Sequence, residues 1–165
     1  MNDAHWHLVV NHFPIIGGIL GLGILIVGLV LKNSTVKNTA YILFVVAAIF
    51  AFVSMATGEA AEELVEDMPN LGHQIIHEHE ELAEKLALLL YGTAFFSLLS
   101  MYTDVEKHKY AKTISIVTLL LAIGSSVVGT FVGNSGGEIR HTEIRENGTN
   151  AVPSKESVTT DNHKE

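Results

Sequence analysis

His12–Leu31 reads HFPIIGGILGLGILIVGLVL, and beyond His12 it carries no ionisable side chain. A surface helix of a water-soluble protein shows a polar stripe recurring every three to four residues, and this stretch shows none. Three blocks of the same kind follow at Ala40–Thr57, Leu86–Tyr102 and Ile114–Val132, and none holds Asp, Glu, Lys, Arg or His. With the first block counted as Phe13–Leu31, each of the four is 17–19 residues long, near the roughly 20 that cross a hydrocarbon layer of about 30 Å. A charge at the centre of a spanning helix costs roughly 2.5–3.5 kcal/mol on the insertion scale. Four uncharged blocks in a chain that is 48% hydrophobic and 17% charged therefore predict four spans. The expected fold is all-α, a four-helix transmembrane bundle running up-down-up-down through a lipid bilayer.

Lys32 and Lys37 lie between the first two blocks and Lys107, Lys109 and Lys112 between the last two, whereas Met1–His12 has no Lys or Arg. The positive-inside rule assigns both lysine loops to the cytoplasm. The chain is then a multi-pass protein of a bacterial inner (plasma) membrane with both termini extracytoplasmic. The bare N-terminus also lacks the positive n-region and the cleavage site of a signal peptide, so the first block is expected to remain as a helix. Between the second and third blocks, Glu59–Glu66 prolongs one helix and Leu71–Lys85 leads into the next, with Met68-Pro69-Asn70 breaking them. The second and third helices thus extend into an extracytoplasmic acidic hairpin. Residues 1–141 form the transmembrane domain, and 142–165, polar and poor in large apolar residues, read as a disordered tail. The net charge of −8 argues against nucleic acid as a partner. With no cysteine, disulfides, thiolate ligands and iron–sulfur clusters are excluded. No Ser- or Cys-centred motif supports hydrolysis, and the lack of a charged group within any span counts against a carrier or channel.

Seven of the nine histidines, His5, His7, His12, His73, His77, His79 and His141, flank the same ends of the four blocks. Four crossings would gather them at one membrane face. His79 falls on the helical face of Ile75, Ile76, Leu82, Ala83 and Leu86, whereas His73, His77, Glu80, Glu81 and Glu84 lie further round. His12 precedes Pro14, suited to a first helical turn, and His5 and His7 flank Trp6, an interfacial anchor. Imidazole is the commonest metal ligand and an axial ligand of haem iron. The candidate metal ligands are His12, His79, Glu63, Glu81 and His77, the last two spaced i, i+4. A cofactor would find room at Gly17, Gly21, Gly136 and Gly137 beside His12 and His79, although Gly17 and Gly21 also have the spacing by which membrane helices pack. Paired histidines and apolar walls suit haem b, and flanking carboxylates suit a bare transition-metal ion. Both readings stay open at this point.

His12-Phe-Pro14, Thr57-Gly58 closing the second span, His79-Glu-Glu81 leading into the third and Gly136-Gly137 closing the fourth occur in an order that resembles the domain of unknown function 2231 family of bacterial membrane proteins. The likeness covers about residues 5–141. That family typically opens with His-Pro, where this chain has His5-Trp-His7. The resemblance implies a four-helix integral membrane protein with His12, His79 and the terminal Gly pair as the shared site, and it implies no settled activity. The expected function is an integral membrane redox or metal-binding module, with electron transfer at an outward-facing His/Glu site. The alternative is a non-catalytic accessory subunit whose apolar faces meet other membrane subunits or a homo-oligomer partner.

Because the chain has no cysteine, single-cysteine variants report topology cleanly. Ser34→Cys should resist a membrane-impermeant maleimide in intact cells, while Asn2→Cys should react; labelling of Ser34→Cys from outside would reverse the orientation.

Overall fold

The structure, a computed structural model, describes residues 3–65 and 73–140. The Met68-Pro69-Asn70 break, Glu66, His141 and the tail at 142–165 lie outside the described residues. Among the described residues five helices follow one another: α1 (Asp3–Val10), α2 (His12–Val30), α3 (Ser34–Val65), α4 (His73–Val105) and α5 (Ala111–Arg140). Four segments, His5–Val30, Ser34–Glu63, Gln74–Val105 and Ala111–Ile139, are long and apolar enough to cross a membrane. The all-helical, four-span reading is therefore shown.

The additional helix α1 follows from Pro14. Proline has no N–H to return to the carbonyl of the residue four before it, here Val10, so the ladder is interrupted at Asn11. Asn11 itself stays in the right-handed helical region (φ −65°, ψ −21°). The interruption removes a bond without reversing the chain, and α1 leads into α2 as one long segment.

Small residues set the helix spacing. On α2, Gly17 faces Ala47, Gly21 lies under the ring of Phe44 and Gly28 meets the backbone of Lys37, so α3 packs along a glycine groove. Gly18 faces Leu90 of α4, and Gly129 of α5 faces Ile15 and Leu86. Between α4 and α5 the buried contact is hydroxylic: Thr93 and Ser125 stand 3.2 Å apart, and Ser100 and Thr118 stand 3.0 Å apart. Tyr41 of α3 donates to Ser115 of α5 at 2.9 Å. Thr93, Ser115, Thr118 and Ser125 each also donate to a carbonyl four residues back, which meets the polar demand within the helix. The outward faces carry Ile16, Leu20, Ile49, Phe52, Leu88, Phe95, Leu120 and Phe131, all exposed. Apolar surface of that extent belongs against lipid.

The connections α2–α3 and α4–α5 share one construction. In the first, Asn33 N–H bonds the Gly28 carbonyl and Lys32 N–H the Leu29 carbonyl; in the second, His108 bonds Thr103 and Lys107 bonds Asp104. Each is a Schellman cap with its C′ residue left-handed, Lys32 at φ 52° and Lys107 at φ 50°. Lys37 at the start of α3 forms an ion pair with Asp104 near the end of α4, so both caps meet at one end of the bundle.

A Cβ on Gly28 would stand 2.8 Å from the Lys37 amide nitrogen, whereas one on Gly23 would meet nothing. Gly28→Ala should therefore cost about 1–3 kcal/mol through overpacking. Gly23→Ala should be neutral or stabilising by up to about 1 kcal/mol. Thermal unfolding in detergent reads both, and equal midpoints for the two variants would refute the glycine-groove account.

Candidate functional site

At the end opposite the lysine caps, two imidazoles are held in the same manner. His7 of α1 lies against α3: its Nδ1 is 3.1 Å from the Ser54 carbonyl oxygen and 3.4 Å from Thr57 Oγ1. A carbonyl only accepts, so the proton is on His7 Nδ1. Thr57 donates its own proton to the Val53 and Ser54 carbonyls, leaving Oγ1 as a second acceptor facing the ring. His79 of α4 lies against α5, with Nδ1 2.8 Å from Ser135 Oγ. Ser135 Oγ also lies 3.1 Å from the Val132 carbonyl; with its proton directed there, its oxygen accepts from His79 and the imidazole proton is on Nδ1, as in His7. In that arrangement Nε2 of both rings keeps its lone pair, the form in which histidine ligates a metal.

Each ring also rests on a glycine. A Cβ on Gly58 would come within 3.3 Å of His7 Cε1, and one on Gly136 within 3.1 Å of His79 Cε1. The imidazole of His7 lies within electrostatic range of both His79 and His12. Asn11 Oδ1, in the turn between His7 and His12, is buried without a partner among the described residues. Leu86, Val132, Ile15, Met55 and Leu82 belong to the apolar cluster at this half of the bundle.

The other expected residues are placed as follows. His12 is exposed on the first turn of α2. His77, with 70% of its side chain exposed, stands 3.6 Å from Glu81, which in turn pairs with Lys85 at 3.1 Å along the outer face of α4. Glu63 is exposed on α3, and Gly137 is half-buried beside Gly136. The space over Gly17 and Gly21 is taken by Ala47 and Phe44. Among the described residues no three His, Asp or Glu side chains gather to hold a metal ion. What the fold brings together is His7 with Ser54, Thr57 and Gly58, and His79 with Ser135 and Gly136.

His7 stands in the sequence as one of the seven gathered histidines and a flank of Trp6, outside the set of candidate ligands, yet a signal for it exists. Thr57-Gly58 and Ser135-Gly136 are matching hydroxyl–glycine pairs at the ends of α3 and α5. Each follows, one helical hairpin later, the histidine it receives. Comparison of the chain with protein families, curated proteins and solved structures finds no match.

Imidazole 15N NMR tests the assignment. His7 and His79 should both appear as the Nδ1–H tautomer, and Ser135→Ala should shift only His79 toward the mixture seen for an exposed ring. Two Nε2–H rings in the unaltered protein would contradict it.

Proposed function

We propose that the chain is an integral membrane redox module in which Nε2 of His7 and Nε2 of His79 hold one haem b. The observation that carries this reading is the matched pair of Nδ1-to-oxygen contacts made by His7 and His79. Histidine ligands ordinarily donate their second ring N–H to a carbonyl or another oxygen acceptor, which fixes ring orientation and strengthens the ligating nitrogen. Ser54 and Thr57 supply those acceptors for His7, and Ser135 supplies one for His79. Donor count favours haem over a bare ion: a closed zinc-type site takes four protein ligands and a catalytic one three, whereas haem iron needs two axial ligands beyond its macrocycle. Two imidazoles without a third His, Asp or Glu among the described residues fit the latter requirement. When bound, haem supplies one-electron chemistry. The protein's own contribution would be to orient both Nε2 atoms, with the Leu86–Val132 cluster as apolar surroundings in the same half of the bundle and Asn11 Oδ1 as a buried acceptor. The placement of this site outside the cytoplasm follows from the lysine loops, and kinship with the domain of unknown function 2231 family follows from the order of motifs; both belong to the same proposal.

Protein purified from haem-replete cells should give a reducible Soret band with iron near one per chain. His7→Ala and His79→Ala should each abolish the reduced-minus-oxidised spectrum, while His12→Ala should keep it. Ser135→Ala should weaken retention by about 10–100-fold, the usual effect of losing such a partner. Folded, colourless protein from haem-replete cells defeats haem; stoichiometric zinc or copper in its place would move the site to a transition-metal ion.

A further inference from the structure

The end of the bundle away from the histidines holds an open cavity of about 600 Å3. Its wall includes Lys32, Lys37, Lys107, Lys109, Lys112 and Asp104. Five of the eight lysines of a chain with net charge −8 thus surround one hollow. Asp104 compensates Lys37. Among the described residues no carboxylate is paired with Lys32, Lys107 or Lys112, and Glu106, though near in sequence, is not part of the wall. We propose that this cavity binds a phosphate group, as carried by an anionic phospholipid at the membrane surface.

Orientation of the spans requires lysines only somewhere in these loops. It does not require them around a shared hollow, and it does not explain their backbone. Lys32 and Lys107 each occupy a left-handed C′ position where glycine is the usual residue. Both hairpins therefore place a strained lysine at the same cavity. Strain of this kind persists where a side chain has a task. A basic pocket between spanning helices at the membrane surface is the chemistry that receives anionic head groups. The rim suits a lipid: Val30, Leu31 and Val105 are exposed apolar residues at the same helix ends, and Lys109 lies 4.9 Å over the exposed ring of Tyr110. Tyrosine at this level is an interfacial anchor.

The test uses the full chain in phosphatidylcholine nanodiscs, with and without a minor fraction of phosphatidylglycerol, and reads the thermal midpoint. A parallel arm titrates inorganic phosphate into the phosphatidylcholine sample against sodium chloride of equal ionic strength. Phosphatidylglycerol should raise the midpoint by about 2–4 °C for a chain of this size. Lys107→Gly should relieve the left-handed strain and fold at least as stably, yet lose that rise. Lys112→Gln should lose it too, and Lys85→Ala, on α4 near the opposite end, should keep it. If inorganic phosphate reproduces the rise, the site stands and its natural ligand is a soluble phosphate. No rise with either ligand, or a rise retained in both Lys107→Gly and Lys112→Gln, overturns the proposal.

Discussion

Inside hydrocarbon no water is present to satisfy a polar group, and this constraint decides what this chain can place where. The backbone answers it by closing into helices of 30 to 33 residues at α3, α4 and α5. Thr93, Thr118 and Ser125 answer it locally, each turning to a carbonyl of its own helix while facing a neighbour across the α4–α5 contact. Charged groups have no such remedy at that depth. They appear only toward the helix ends, where Lys37 and Asp104 neutralise each other and the remaining lysines reach outward. Chemistry is consequently restricted to the two ends of the bundle, and the middle serves to hold those ends in register.

The two ends are products of one repeated plan. Each hairpin begins with a histidine, turns through a Schellman cap with a left-handed lysine, and finishes with a hydroxyl–glycine pair. Superposed on the packing, that plan puts two imidazoles at one end and a group of lysines at the other. Neutral imidazole nitrogens suit a transition-metal centre, and ammonium groups suit an oxyanion. The charge asymmetry that orients a membrane protein and the ligand asymmetry proposed for this one thus come from the same two hairpins.

The four spans were readable from sequence because absence of charge over a whole block is a signal that tertiary packing cannot counterfeit. The glycine stripe on α2 was readable as a packing surface for the same reason: Gly17 and Gly21 share a face at any helical register, and Ala47 and Phe44 fill it. Which histidine turns inward was harder. A position beside an apolar block gives depth along the bundle axis, and it does not give direction around that axis. His12 begins α2 on an exposed face, whereas His7, a turn and more earlier, is carried onto α3 by α1, before the interruption of the ladder at Asn11. The interruption moves the relevant imidazole outside the segment on which periodicity could be counted. His79 had no such break before its span, and its apolar helical neighbours sufficed to set it inward, where Ser135 receives it.

The separation of the two rings is then a matter of core volume. His7 is fastened to α3 through Ser54 and Thr57, and His79 belongs to α4. Between those helices the core at this end is built from Ala47, Ala48 and Ala51 against Leu86, Ala87 and Leu90. Alanine on four of these six positions lets the α3 and α4 backbones approach closely. Interiors at this density transmit a change of even one methylene to their neighbours. A larger side chain at Ala48 or Ala87 would move α3, and with it His7, relative to His79 without touching either imidazole. The apolar contact below the site is thereby part of the site, because it determines the span that a shared guest would have to bridge.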